Sequence, residues 1–158
     1  MDKSIDRIKC AMIIFELERG LGRICKEQRD LLNNSPTAKE ISKRTPEKAS
    51  DHQSIIENSY LAEVIAIALH VYKGTSLEPW LTNLNGLVVA LSLFEIRNAV
   101  SHPNRPFPSF YWYRCAAIAS DPAIDALGLN EVAHAFINAN EGRIQEPPEE
   151  WLHKMRGH

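Results

Sequence analysis

LTNLNGLVVALSLFEIRNAVSH, residues 81–102, is the stretch that decides the fold class. At about 100° per residue, Leu84, Leu87, Leu91 and Phe94 fall on one side of a helix, and Val89, Leu93, Ile96 and Val100 fall on roughly the opposite side. A helix over 81–101 that is apolar on two sides must be covered twice. The body of the protein supplies one cover, and a second copy of the chain is a candidate for the other. Towards its end the first stripe turns polar, because Asn98 continues the face of Leu91 and His102 follows Asn98 by one turn. Pro103 disfavours helical geometry at the residue before it, so the helix is expected to stop at His102.

On either side of this stretch the periodicity is helical again. Over 4–33, Ile5, Ile8, Met12 and Phe15 make one stripe, and Ile14, Leu17, Leu21, Ile24 and Leu31 another, which predicts one long helix. Gly20 and Gly22 lie inside it, tolerable if another segment passes close by. A second helix is expected over 51–73, with Ile56, Tyr60, Leu61, Val64, Ile65, Ala68, Val71 and Tyr72 on a wide apolar face and Gly74 at its end. An aromatic helix follows over 110–120. More helix is expected over 122–140, where Asp121 and Pro122 suit an N-cap and first helical position.

Between the first two helices, NNSPTAKEISKRTPEKAS (33–50) is polar, holds two prolines and has Ile41 as its one large aliphatic residue, so it reads as a surface loop. Its Lys39, Lys43, Arg44 and Lys48 read as a solvated run rather than a phosphate contact. The end, EGRIQEPPEEWLHKMRGH, loses periodicity. Strand signals are absent: alternation is poor and no hairpin dipeptide separates apolar runs. The expectation is therefore an all-α bundle of four or five helices over 1–141, with 142–158 as a tail or linker.

Composition supports one hydrophobic core: 158 residues, 44% hydrophobic and 24% charged. A net charge of −2 argues against holding nucleic acid by bulk electrostatics, so any such contact must be local. The opening MDKSIDRIK lacks the apolar core of a secretion signal and no long uninterrupted apolar run exists, which makes the cytoplasm the expected location and a membrane an unexpected partner. Cys10, Cys25 and Cys115 are odd in number and lack metal-finger spacing, so they read as reduced structural thiols. With neither GxxxxGK[ST] nor GxGxxG, the chain alone is not expected to be an NTPase.

RNAVSH, Arg97 to His102, followed by Pro103, resembles the Arg–polar–x–x–x–His signature of HEPN domains, all-helical modules found in many ribonucleases of defence and toxin systems. An Arg-Asn pair followed by His at this distance is expected only about 0.02 times by chance in such a chain. The long first helix with FELERGLGRI is similar as well. The resemblance implies a metal-independent endoribonuclease whose composite site forms where two such helices meet in a homodimer, and whose products carry a cyclic phosphate and a 5′-hydroxyl. It also implies partners: RNA as substrate, and either a nucleotidyltransferase-like antitoxin or an attached sensor or NTPase domain. No cofactor is called for.

The residues themselves suit that chemistry. When the 2′-hydroxyl of RNA attacks the adjacent phosphate, a base must take its proton, the phosphoryl charge must be stabilised and the leaving oxygen must be protonated. Imidazole titrates near neutrality and guanidinium can hold two phosphoryl oxygens, which makes His102 and Arg97 the catalytic candidates, with Asn98 in support. Ser101, Arg105, Tyr111 and Arg114 are the candidate substrate contacts, and Tyr111, Trp112 and Tyr113 could stack on unpaired bases.

Arg97 lies about 140° around the axis from His102, so one straight helix does not aim both at one point. Either the imidazole swings away where the helix ends, or a symmetric partner supplies the second copy. In the competing reading Arg97, Asn98 and His102 cap a helix C-terminus, and the chain is a non-catalytic dimerisation or interaction module. Glu95 reads as helical solvation. His70 and His134 read as partly buried rim residues without a metal-like partner four positions on, so no metal is expected.

Overall fold

A computed structural model describes residues 3–45 and 52–156. Among these the chain is all-helical, with no strand. Helix α1 (Lys3–Lys26) is the central strut. Its Cys10, Ile13, Ile14, Leu17, Leu21 and Cys25 are fully buried, and α5 (Leu61–Val71), α7 (Leu93–Ser101), α8 (Phe110–Ala119) and α10 (Asn130–Asn140) pack around it. Burial pushes the Cys25 thiol up to about 12, and the hydrogen bond with Cys115, together with burial, raises Cys10. All three cysteines are free thiols inside the core.

Gly20 and Gly22 are explained by close approach. A Cβ on Gly20 would meet Leu129 Cδ2 at 2.9 Å, and one on Gly22 would meet Ile56 Cγ2 at 2.7 Å. Side chains, rather than a crossing backbone, fill the space.

Several expected long helices are broken. The first ends at Lys26, and a short α2 (Arg29–Asn33) follows. The second is split into α4 (His52–Glu57) and α5 at Asn58–Tyr60, where the Tyr60 N–H donates to Glu63 Oε1 at 2.9 Å instead of continuing a helix. The 122–140 stretch divides into α9 (Pro122–Ala126) and α10 at Gly128. There the N–H groups of Gly128 and Leu129 fold back on Asp125 and Ile124, a closure that needs the positive φ of +70°. Asp121 caps α9 as its spacing suggested, accepting from Ala123 N–H.

The 33–50 stretch is not simply a loop, because α3 (Pro36–Arg44) forms inside it. Ser35 caps α3 by accepting from Ala38 N–H, Pro36 opens it, and Ala38 and Ile41 plug into the core. A three-residue spacing is enough to bury one narrow edge of a polar helix. Lys48 lies outside the described residues. At the other end, 143–148 forms no regular secondary structure, but α11 (Glu149–Arg156) returns to pack on α7, with Trp151 buried against Phe15 at 5.4 Å between ring centroids.

The most consequential break lies in the opening stretch itself. The expected helix over 81–101 is two helices, α6 (Glu78–Ala90) and α7, bent by 62° at Ser92, which adopts the left-handed region with φ of 54°. Arg114 Nη1 donates to the Leu91 carbonyl freed there, at 3.4 Å. The bend turns both halves towards one core: Leu81, Leu84 and Val88 from α6, then Leu93, Ile96 and Val100 from α7. Val89 and Phe94, which straight-helix arithmetic assigned to opposite stripes, are left exposed at 59% and 37%. Among the described residues, no single helix is long and apolar enough to cross a membrane.

A side chain in the left-handed region costs about 1 kcal/mol relative to glycine. Ser92→Gly should therefore raise the thermal midpoint by about 2–4 °C, read by circular dichroism, whereas a midpoint that falls would mean the serine hydroxyl holds the bend.

Candidate functional site

Ser92 launches α7 across α1, and the register of α7 then settles the fate of each candidate side chain. Arg97 points inward. It is 6% exposed, its Nε donates to Glu18 Oε1 at 3.3 Å, and its Nη2 lies 3.2 Å from the same oxygen, off the hydrogen-bonding line. Glu18 Oε2 in turn accepts from the Trp151 indole N–H of α11. One carboxylate on α1 thereby holds α7 and α11 together. The third guanidinium nitrogen, Nη1, has no hydrogen bond and is not sealed off from solvent. The Tyr60 ring lies 5.3 Å from the guanidinium carbon.

Asn98 is exposed beside it. A cavity of about 460 Å³ opens here, and Tyr60, Glu63, Phe94, Arg97 and Asn98 are among its walls. His102 is not. The imidazole sits half-buried at the end of α7, where the backbone leaves helical geometry with φ of −121° and ψ of 90°, as Pro103 predicted. Its ring makes no hydrogen bond with the described residues. Arg97 and Asn98 therefore share a cavity within one chain, and His102 lies one turn beyond Asn98, outside its walls.

The C-terminus of α7 is capped, but by a residue the sequence reading passed over. Arg7 of α1 donates from Nη1 to the carbonyls of Ala99 and His102, the latter at 3.2 Å, and from Nη2 to those of Pro103 and Arg105 at 3.3 and 3.1 Å. It also lies 4.9 Å from the centroid of the Phe107 ring. Four carbonyls converging on one guanidinium fix the turn that carries His102.

The candidate substrate contacts divide. Ser101 is inside, 4% exposed, with its hydroxyl donating to Asn98 O at 2.9 Å. Tyr111 is inside as well, with its hydroxyl donating to Glu95 Oε1 at 2.9 Å. Each hydroxyl is used within the fold, and burial helps raise the Tyr111 pKa. Glu95 is thus partnered rather than simply solvated. Arg105 is exposed, while Arg114 is half-buried over the Phe110 ring at 4.7 Å. Of the neighbouring aromatics Trp112 is core and Tyr113 is 68% exposed.

His70 and His134 are exposed rather than partly buried. His134 lines a second cleft of about 600 Å³ with Glu16, Arg19 and Glu131, which includes none of Arg97, Asn98 and His102. No group of His, Cys, Asp or Glu among the described residues is arranged to hold a metal ion.

Glu18 was legible in principle. It stands one turn after Ile14 and one before Leu21, so it interrupts an apolar stripe with a carboxylate, which demands a buried cation. No family model, no curated protein and no solved structure matches the chain.

Removing one partner of a buried pair costs about 3–5 kcal/mol, because the other charge is left uncompensated. Arg97→Ala should accordingly destabilise the protein by about that amount, while the double change Glu18→Leu with Arg97→Met should recover most of it. Urea unfolding of the three chains measures this; a double variant no more stable than Arg97→Ala would show that the pair contributes more than it costs.

Proposed function

We propose that the chain is a metal-independent endoribonuclease of the HEPN type, acting as a homodimer in a defence or toxin setting. The observation that carries this reading is the end of α7. An imidazole without a hydrogen bond to the described residues stands one turn beyond exposed Asn98, and a buried but incompletely bonded guanidinium opens on the adjoining cavity. The positions are those of the Arg–Asn–x–x–x–His signature.

In the proposed reaction an imidazole takes the proton of the RNA 2′-hydroxyl. The 2′-oxygen bonds to phosphorus as the bond from phosphorus to the 5′-oxygen breaks, and a second imidazole protonates that 5′-oxygen. Atoms balance without water: the products are a 2′,3′-cyclic phosphate and a 5′-hydroxyl. Arg97 stabilises the phosphoryl charge and Asn98 orients the phosphate or the imidazole. Because one chain offers a single imidazole here, the acid and the base come from His102 of two subunits across a two-fold axis.

A specific observation favours the second reading, a non-catalytic interaction module. Arg97 is already committed to Glu18 beneath α11, as a purely structural arginine would be.

His102 separates the two readings more cleanly than Arg97, since its ring makes no hydrogen bond with the described residues. His102→Ala should cost less than about 0.5 kcal/mol in stability and slow cleavage of RNA by at least about 100-fold. Cleavage of total RNA, with the ends mapped, is the assay; DNA and chelator controls should show respectively no cleavage and no loss. Equal activity of the variant would remove the catalytic assignment.

A further inference from the structure

The cavity beside Arg97 has a second wall that the nuclease signature does not mention. It is the N-terminus of α5, a helix of 11 residues whose Tyr60, Leu61, Ala62 and Glu63 all line the space. The Leu61 and Ala62 N–H groups precede the first intrahelical bond and have no acceptor among the described residues. Two features thus meet at one cavity: the amide donor of exposed Ala62 at the positive end of a helix, and a guanidinium more than nine-tenths buried whose Nη1 carries no hydrogen bond among the described residues.

The charge around them points the same way. Three cations surround the Tyr60 ring: Arg44 at 4.8 Å, Arg97 at 5.3 Å and Lys154 at 5.8 Å from its centroid. Two carboxylates offset them. Glu18 is bound by Arg97 and Trp151, and Glu63 by Arg44, with Nη2 to Oε1 at 2.7 Å, and by the Tyr60 N–H. Among the described residues, three positive charges against two negative leave one cation in excess, to which the helix end adds about half a charge. Burial lowers the Lys154 pKa, with Glu18 and Glu63 opposing the shift and Arg97 and Arg44 adding to it.

We infer that this cavity is a binding site for a nucleotide phosphate. Arg97 Nη1 and the Ala62 N–H take the phosphoryl oxygens, Lys154 and Arg44 supply the surrounding positive charge, and Phe94 with Asn98 receives the base. The volume of about 460 Å³ falls within the roughly 300–1,000 Å³ range of small-molecule sites. Phe94 is 37% exposed and presents a stacking surface, while exposed Asn98 offers both a donor and an acceptor. The choice of a nucleotide over another phosphate rests on the nuclease reading; the phosphate itself does not. Lys154 and the α5 terminus become specificity elements that the Arg–His signature leaves out.

Calorimetric titration of the full chain with adenosine 5′-monophosphate, adenosine and inorganic phosphate tests this. The monophosphate should bind at least about tenfold more tightly than adenosine, and phosphate should displace it. Lys154→Gln removes the surplus cation, and Ala62→Pro removes a single N–H in the first turn, where proline is tolerated. Each should weaken monophosphate binding by about tenfold while leaving adenosine unaffected. Should Ala62→Pro fail to fold, Lys154→Gln alone decides. Equal affinity for adenosine and its monophosphate, displacement by chloride at matched ionic strength, or indifference to Lys154→Gln would overturn the site. A mononucleotide has no internucleotide bond, so binding it without cutting RNA would sink the nuclease reading and spare the cavity, and the reverse pattern would do the opposite.

Discussion

The pairing of Glu18 with Arg97 is the constraint on which the rest of the architecture around the site depends. Two charges taken out of water cost several kcal/mol each, so they persist only where geometry and further hydrogen bonds repay them. Here the repayment involves three helices. Glu18 projects from α1, Arg97 from α7, and the Trp151 indole from α11 supplies the remaining donor to the carboxylate. An apolar pair of similar volume would pack as well, but it would not specify which face of α7 meets α1. The ion pair fixes that rotation, and so decides that Asn98 faces outward and that Ser101 turns in.

Much of the helical content was legible because its signal is local. Stripes at helical spacing identify α1, α5, α8 and α10, and the Asp121–Pro122 cap identifies α9. The breaks were not legible, because they are set by what lies across the interface. Nothing in the residues around Ser92 demands a left-handed turn; the bend is compensated by Arg114 at the Leu91 carbonyl and by the core that both halves enter. Carrying helical arithmetic through that point turned one buried face into two opposite stripes. For α3, composition outweighed spacing: a polar segment with two prolines reads as a loop, although Ser35, Pro36, Ala38 and Ile41 contain a complete cap and anchor.

For the site, the 140° separation of Arg97 and His102 followed from helical geometry, and the two side chains do leave α7 towards different surroundings. What spacing could not give was depth. The rotation of α7 sends Arg97 to Glu18, and no motif records that burial. Arg7 was invisible for a related reason. An arginine near the start of a long helix looks like a solvated charge, and its role as cap of α7 comes from contacts about a hundred positions along the chain.

Stability and chemistry are therefore spread unevenly over the signature. Arg97 is structural through its Nε hydrogen bond and ion pair with Glu18, while Nη1 is the nitrogen that stays open to solvent; the His102 ring makes no hydrogen bond with the described residues. A guanidinium suits such a double role because its donors are held in one rigid plane, so anchoring one edge on Glu18 aims the other. Lysine, with one ammonium on a flexible stem, would not satisfy Glu18 and still present a fixed donor to the cavity. The same logic makes α11 more than a cover. By donating to Glu18 through Trp151 and placing Lys154 beside Tyr60, it helps hold the orientation of Arg97 and adds charge to the space in front of it. The last described helix thus belongs to the candidate site as much as the helix bearing Arg97 and His102.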